Sequence, residues 1–153
     1  MKSNIASMIV LIVLLIVGCI VLPTYFRSIE ETRDDAVRVQ NAARNFVDLV
    51  IDNQIVAEEY IADLNLELSA CDSIYSYRIL RDERIVTPDT SSASGYSVSW
   101  VAREVGPGDK VLQGDFITIE IKQETMSLNQ RIAAMLSSAS YNKYDVRFTA
   151  MVR

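Results

Sequence analysis

From Ser3 to Phe26 the chain carries no charged side chain, and from there to about Asp52 apolar residues recur at helical spacing. The first stretch is dominated by Ile, Val and Leu between Ile5 and Leu22. Its 24 uncharged residues would span about 36 Å as a helix, against about 30 Å for a bilayer hydrocarbon core. Backbone N–H and C=O groups find no partners in lipid, so a single span has to be helical. Ile5, Met8, Ile9, Ile12, Leu15, Ile16, Ile20 and Leu22 are the side chains expected to face lipid. Beyond Leu22 the apolar positions narrow to one stripe. Tyr25, Thr32, Val39 and Phe46 repeat every seven residues, interleaved with Ile29, Ala36, Ala43 and Val50, in the alternating steps of four and three that mark one helix face. Pro23 lies inside this rod and predicts a kink near the membrane boundary, where freed carbonyls can be satisfied again. Three partners fit the stripe: the chain's own sheet, neighbouring copies in an assembly, or one helix of a two-stranded coil. Thr32, Ala36 and Ala43 make a lean seam, which weighs against a strong isolated coil.

A break at Asp52-Asn53 leads to a second helix, with Ala57, Tyr60, Ile61, Leu64 and Leu68 on one face and Glu58 and Glu59 suited to its first turn. Cys71-Asp72 ends it. Tyr75, Tyr77 and Ile79 then alternate as a strand, which Ile85-Val86 either extend or follow as the next. The polar segment from Thr87 to Gly95 reads as a loop. Tyr96, Val98, Trp100 and Ala102 alternate in a second strand, and Gly106-Pro107-Gly108-Asp109 has the chemistry of a type II turn. Ile117, Ile119 and Ile121 oppose Thr118, Glu120 and Lys122 in a third strand. Ser127 with Gln130 fits a capping box, and Leu128, Ile132, Met135 and Leu136 line a short third helix. Tyr144, Val146, Phe148, Ala150 and Val152 alternate with charged or polar residues in a last strand. The order predicts an α+β fold: a long N-terminal membrane and stalk helix packed on a small antiparallel sheet. The organisation reads as an anchor over 1–26, an amphipathic stalk over 27–53 and a small α+β domain over 54–153.

Composition narrows the chemistry. The chain of 153 residues has a net charge of −5 and no histidine, so the commonest neutral-pH base and transition-metal ligand are both missing. With Lys2 set aside, 14 basic stand against 20 acidic side chains; nucleic acid is not an expected partner, because phosphate binding needs clustered Lys and Arg. No Gly-rich phosphate loop, Cys/His cluster or serine-nucleophile elbow is present. Asp109, Asp115, Glu120 and Glu124 lack the alternate spacing of a calcium loop and read as a solvated strand with its turns. Half-buried strand positions account for most of the tyrosines and for Trp100. Cys71 reads as an inert thiol, and Cys19, in the greasy run, cannot reach it. We expect no enzymatic activity, no catalytic or metal-ligating set and no cofactor.

Val17-Gly18-Cys19 faintly matches a lipoprotein cleavage site, but Ile20-Val21-Leu22 continue the apolar run past it, so we expect the anchor to be retained. The short amino end with Lys2 favours export of the carboxyl part. Arg27, Arg33, Arg38 and Arg44 pull the other way under the positive-inside rule. The expected location is the cell membrane, single-pass, with the carboxyl domain outside the cytoplasm.

This layout of apolar helix, Pro23, amphipathic extension and small sheet resembles type IV pilins and pseudopilins. Within that group the chain is similar to small single-anchor TadE-like proteins of Gram-positive bacteria. The similarity is carried by Ala43-Arg44-Asn45-Phe46-Val47-Asp48, Glu59-Tyr60 with Leu64, Tyr75-Ser76-Tyr77 and Gly114-Asp115-Phe116-Ile117-Thr118-Ile119. Prepilins have a short leader ending in glycine before the apolar run, followed by a glutamate near the mature amino end. Neither stands here, so the docking role of that glutamate passes to no residue of this chain. The resemblance implies a pilin-like structural subunit of a surface pilus, secretion or conjugation apparatus, meeting lipid and protein partners, or its own copies, through the N-terminal helix. The alternative is a membrane-anchored sensor or adaptor that binds a peptide, wall fragment or signalling partner through its sheet and the Thr87–Gly95 loop.

Overall fold

The computed structural model describes residues 2–91, 93–137 and 143–153; Ser92 and the side chain of Leu136 lie outside the described residues. Helix α1 runs from Lys2–Asn53 as one element of 52 residues with Pro23 inside it. It is long and apolar enough to cross a membrane. Its end is set by Gln54, whose φ of 55° is a left-handed conformation that no helix can continue. Helix α2, Glu58–Ser69, turns Leu64 and Leu68 inward, and its two leading glutamates meet the positive end of the helix dipole.

Four antiparallel strands follow: β1, Ile74–Pro88; β2, Tyr96–Glu104; β3, Phe116–Thr125; and β4, Asp145–Met151, with helix α3, Leu128–Ser137, inserted between the last two. Their order in the sheet is β2-β1-β3-β4. Ile85 and Val86 extend the first strand rather than begin another. The strand also runs through Thr87 and Pro88, which pair with Ser97 and Tyr96, so the loop begins later than the polar composition implies. Only the first part of β1, up to Asp82, pairs with β3. Glu83 to Pro88 pair with β2 alone, and the β1–β2 hairpin projects past the sheet as an arm.

The core lies where α1 crosses the sheet. Ile117, Ile119 and Ile121 are fully buried and meet Val39, Ala42, Ala43, Phe46, Val47 and Val50 of α1, with Val56, Leu64 and Leu68 closing the side. Burying one such aliphatic side chain stabilises the fold by about 1.5–3 kcal/mol. Ala42 and Ala43 keep the helix face lean, so its backbone can approach the sheet. The core is continuous across residue 54: the helix from Val39 to Val50 and the strands beyond share one cluster.

Two local motifs form as their residue types require. Asp109 N–H donates to Gly106 O at 3.2 Å and Gly108 has φ 87°, which is the type II turn with glycine in its positive-φ position. This turn is tied to the α1–α2 connection, because Val56 N–H donates to Asp109 O at 2.9 Å and Gly108 N–H to Val56 O at 2.7 Å. At the start of α3, Ser127 N–H donates to Gln130 Oε1 at 3.1 Å and Gln130 N–H to Ser127 Oγ at 3.2 Å. That is the reciprocal pair of a capping box.

Candidate functional site

The functional candidate is α1 itself with the surfaces beside it. Ile5, Met8, Ile9, Ile12, Leu15, Ile16, Ile20 and Leu22 are all between 51% and 65% exposed. Among the described residues nothing covers them: the apolar window is 0% buried. A bare apolar rod of this length far exceeds the few hundred Å² of contiguous apolar surface a soluble monomer tolerates. Pro23 lies within α1, which continues on both sides of it as one helix.

The stripe divides. Val39, Ala43, Phe46 and Val50 are buried in the chain's own core. Thr32 and Ala36 are half-buried, while Tyr25 and Ile29 are exposed. The buried face is also wider than the seven-residue pattern, since Ala42 and Val47 join it, as expected of a helix lying on a sheet rather than in a coiled-coil seam.

Between the bare and the buried halves lies a polar collar. Asp35, buried within α1, accepts from the backbone N–H groups of Asp72 and Ser73, both at 3.1 Å. The Gln130 side chain accepts from Ser73 Oγ at 3.3 Å and Gln123 Nε2 at 3.0 Å, and donates to Thr32 Oγ1 at 2.8 Å. Gln123 Nε2 also donates to Ser73 Oγ at 2.9 Å, and Tyr144 N–H to Gln123 Oε1 at 3.0 Å. Glu31 accepts from Ser127 Oγ at 3.2 Å and from Asn129 Nδ2. Among the described residues no buried side-chain polar atom is left without a partner. Apart from the capping box, sequence reading missed this cluster. Its one visible signal was Asp35, which falls in phase with Ser28, Thr32, Val39 and Ala42 on the face that turns inward.

Asp109, Asp115, Glu120 and Glu124 are separately occupied. Asp115 is buried rather than solvated: Arg81 Nε reaches its Oδ2 at 2.6 Å, with side chains 17% and 6% exposed, and Leu112 N–H donates to the same oxygen at 3.0 Å. Asp109 accepts from Gly106 N–H at 2.8 Å. Glu120 pairs with Arg78 at 3.2 Å and Arg147 at 3.6 Å, and Glu124 accepts from Ser76 Oγ at 2.6 Å. Among the described residues no group of His, Cys, Asp and Glu is placed to hold a metal ion. Burial, and after it the Asp35 carboxylate, pushes the Cys71 thiol up to about 11. It therefore stays protonated and weakly nucleophilic at neutral pH. Burial and the same carboxylate also raise the Tyr75 phenol. A groove of about 990 Å³ runs along α1 beside Glu30, Arg33, Asp34, Arg38 and Asn45 to Glu67 of α2. It carries both signs of charge and no nucleophile.

Two apolar surfaces point away from the core. Tyr96, Val98 and Trp100 of β2 are exposed together with Val86 of β1. Their register puts them on the sheet face opposite the buried isoleucines, and Trp100 meets Phe116 edge to face at 5.0 Å. On β2 the aromatic residues are therefore surface rather than half-buried strand positions. On α3, Leu128, Ile132 and Met135 are exposed while Gln130 and Ala133 are buried, so its most apolar face is turned outward. Comparison of the chain with family models, with curated proteins and with solved structures gives no match in any of the three.

Proposed function

We propose that the chain is a membrane-anchored, non-enzymatic, pilin-like structural subunit of a surface pilus, secretion or conjugation apparatus, with its carboxyl domain outside the cytoplasm. The observation that carries this reading is the division of α1: one unbroken helix bare over its first half and the centre of a small core over its second. Such a rod joins the head to its span and leaves little freedom between the two. The polar collar supports the reading as well, since its side chains are bonded to one another and to the backbone around α1.

Contact with neighbouring subunits falls to the part of the helix face that the sheet leaves open. Ile29 and Val37 are exposed there, and their replacement does not disturb the core. Ala43, fully buried, is unsuitable for such a test, since a charge there unfolds the head. A photo-crosslinking residue at Ile29 or Val37, in the full chain in native membranes, should give discrete adducts with neighbouring subunits. Ile29→Glu with Val37→Glu should abolish their co-purification. Adducts at Leu66, more exposed than either but on α2, serve as the background. A chain that yields no more adducts at 29 and 37 than at 66 is not an assembly subunit docking through this helix.

The exposed Tyr96, Val98 and Trp100 favour a second reading, that of an anchored sensor or adaptor whose ligand lies on the hairpin arm. A protein that is monomeric in membranes and loses ligand affinity on Trp100→Ala would select it.

A further inference from the structure

Helix α3 hangs on α1 at one place. Its first turn bonds Glu31 through Ser127 and Asn129 and Thr32 through Gln130. Thr32 lies six residues beyond Phe26, where the uncharged stretch ends, which is about 9 Å along a helix axis. If the stretch spans the hydrocarbon core, the headgroup layer begins near Phe26 and is about 5–8 Å thick, so Thr32 stands at its outer edge. Polar bonds hold one face of α3 against α1, with Gln130 and Ala133 each 1% exposed. The other face presents Leu128, Ile132 and Met135 at 70%, 37% and 82% exposure, in the steps of four and three of an apolar helix face.

Charge separates this segment from the rest. The chain carries −5 overall, yet from Thr125 to Tyr144 the only charged residues are Arg131 and Lys143. Tyr25 and Phe26 of α1, exposed and in edge-to-face contact at 6.3 Å, stand where aromatic side chains gather at a membrane surface. An apolar face on a segment whose own charges are both basic, with the one acid that its first turn meets, Glu31, held in hydrogen bonds, is the chemistry of a helix lying in the lipid interface.

We propose that α3 is a second membrane contact, an interfacial helix seated among headgroups with Leu128, Ile132 and Met135 in the acyl boundary and Arg131 toward anionic lipid. The inference rests on α1 being the membrane anchor. Its consequence is mechanical: one span alone lets a head rotate and tilt, whereas a span and an interfacial helix fixed to each other give the head one orientation on the membrane.

The test uses the full chain with Cys19→Ala and Cys71→Ala, reconstituted in vesicles of phosphatidylcholine with or without phosphatidylglycerol. Single cysteines replacing Val13, Ser99, Leu128 or Met135 carry an environment-sensitive fluorophore, and lipids carry a quencher at a shallow or a deep acyl position. The labels at 128 and 135 should be quenched several-fold more by the shallow quencher than the label at 99. Arg131→Glu should reduce that difference only in vesicles containing phosphatidylglycerol. The label at 13 should respond to the deep quencher. If 13 is quenched but 128 and 135 behave like 99, the anchor stands and the interfacial helix is refuted. If 13 is not quenched, the anchor reading fails first and takes this one with it. Shielding of 128 and 135 without lipid quenching, together with energy transfer between labelled copies, refutes the proposal in favour of contact with a second copy.

Discussion

Gln130 is the side chain on which the placement of α3 depends, and its truncation has a calculable effect. In Gln130→Ala the buried Ser127 N–H loses its acceptor, and the Ser73 hydroxyl proton and one Gln123 N–H lose theirs. Thr32 Oγ1 still donates to Ser28 O at 2.7 Å, so that hydroxyl keeps one bond. Each orphaned buried group costs about 1–3 kcal/mol, and neighbours or an entering water recover part of this. A local loss of about 3 kcal/mol follows, against about 1 kcal/mol for an ordinary exposed cap. Gln130→Glu sharpens the test. On a solvated helix it would be nearly silent, because glutamate serves a capping box as well as glutamine. Here it removes the donor to Thr32 and buries a carboxylate near Asp35 and Glu31. Burial raises the pKa of such an acid above its unfolded value of about 4.3. The stability of the variant is therefore whole below that value and falls as pH rises through the folded-state pKa. Amide hydrogen exchange of the full chain in micelles, resolved over residues 127–137, reads both effects. About 3 kcal/mol corresponds to roughly a hundredfold faster exchange, in the alanine variant at any pH and in the glutamate variant only near neutrality. Exchange as slow as in the unaltered chain would refute the structural role assigned to the collar.

Two further outcomes can be measured on the same preparation. Asp115→Ala leaves the Arg81 guanidinium, at 17% exposure, without its anion and should cost about 3–5 kcal/mol in denaturant unfolding. Arg81→Met combined with Asp115→Leu should restore most of this, since breaking a buried pair is worse than replacing it; a double variant no better than the single one contradicts the account. Cys71, in the Cys19→Ala background, should react with iodoacetamide at a rate that climbs only as pH approaches about 11. Asp35→Asn should raise its rate at a given pH by removing the second cause of the shift. Because the folded-state value is raised from 9.0, the stabilising contribution of the thiol is complete below pH 9.0 and declines as pH rises through the folded value. A rate that levels off near pH 9 would show the thiol to be unperturbed.

Much of this fold was legible because its signals are local. The Ile117, Ile119 and Ile121 alternation, the Gly106–Asp109 turn and the Ser127–Gln130 box each depend on residues within a few positions of one another. What stayed hidden depends on which side of an element the rest of the chain occupies. The alternation of Tyr96, Val98, Trp100 and Ala102 has the same period as that of β3, yet register turns it to the outer face. Leu128, Ile132 and Met135 mark an apolar helix face correctly, but α1 receives the face of Gln130 and Ala133. Asp115 sits among surface carboxylates in sequence and is buried only because Arg81, 34 residues earlier, lies on the core side of β1. A period identifies a face; the fold decides what covers it.

The same limit explains why an apolar stripe alone would not specify this structure. A seam repeating every seven residues looks much the same after sliding along its own axis, so Val39, Ala43, Phe46 and Val50 would pack against Ile117, Ile119 and Ile121 nearly as well one turn displaced. The polar collar removes that freedom. Moving α1 by one turn, about 5.4 Å, would take Asp35 from the N–H groups of Asp72 and Ser73 and Thr32 from Gln130, leaving the buried Ser73 N–H unpaired at about 1–3 kcal/mol. It would also part Glu31 from Ser127 and Asn129, so several such losses fall together. Apolar packing holds α1 on the sheet, and Asp35 and Gln130 set how far along the helix the head sits from the bare segment. For a rod that joins a bare apolar half to a folded half, that distance is fixed by hydrogen bonds rather than by hydrophobic contact, because only the hydrogen bonds distinguish one turn of the helix from the next.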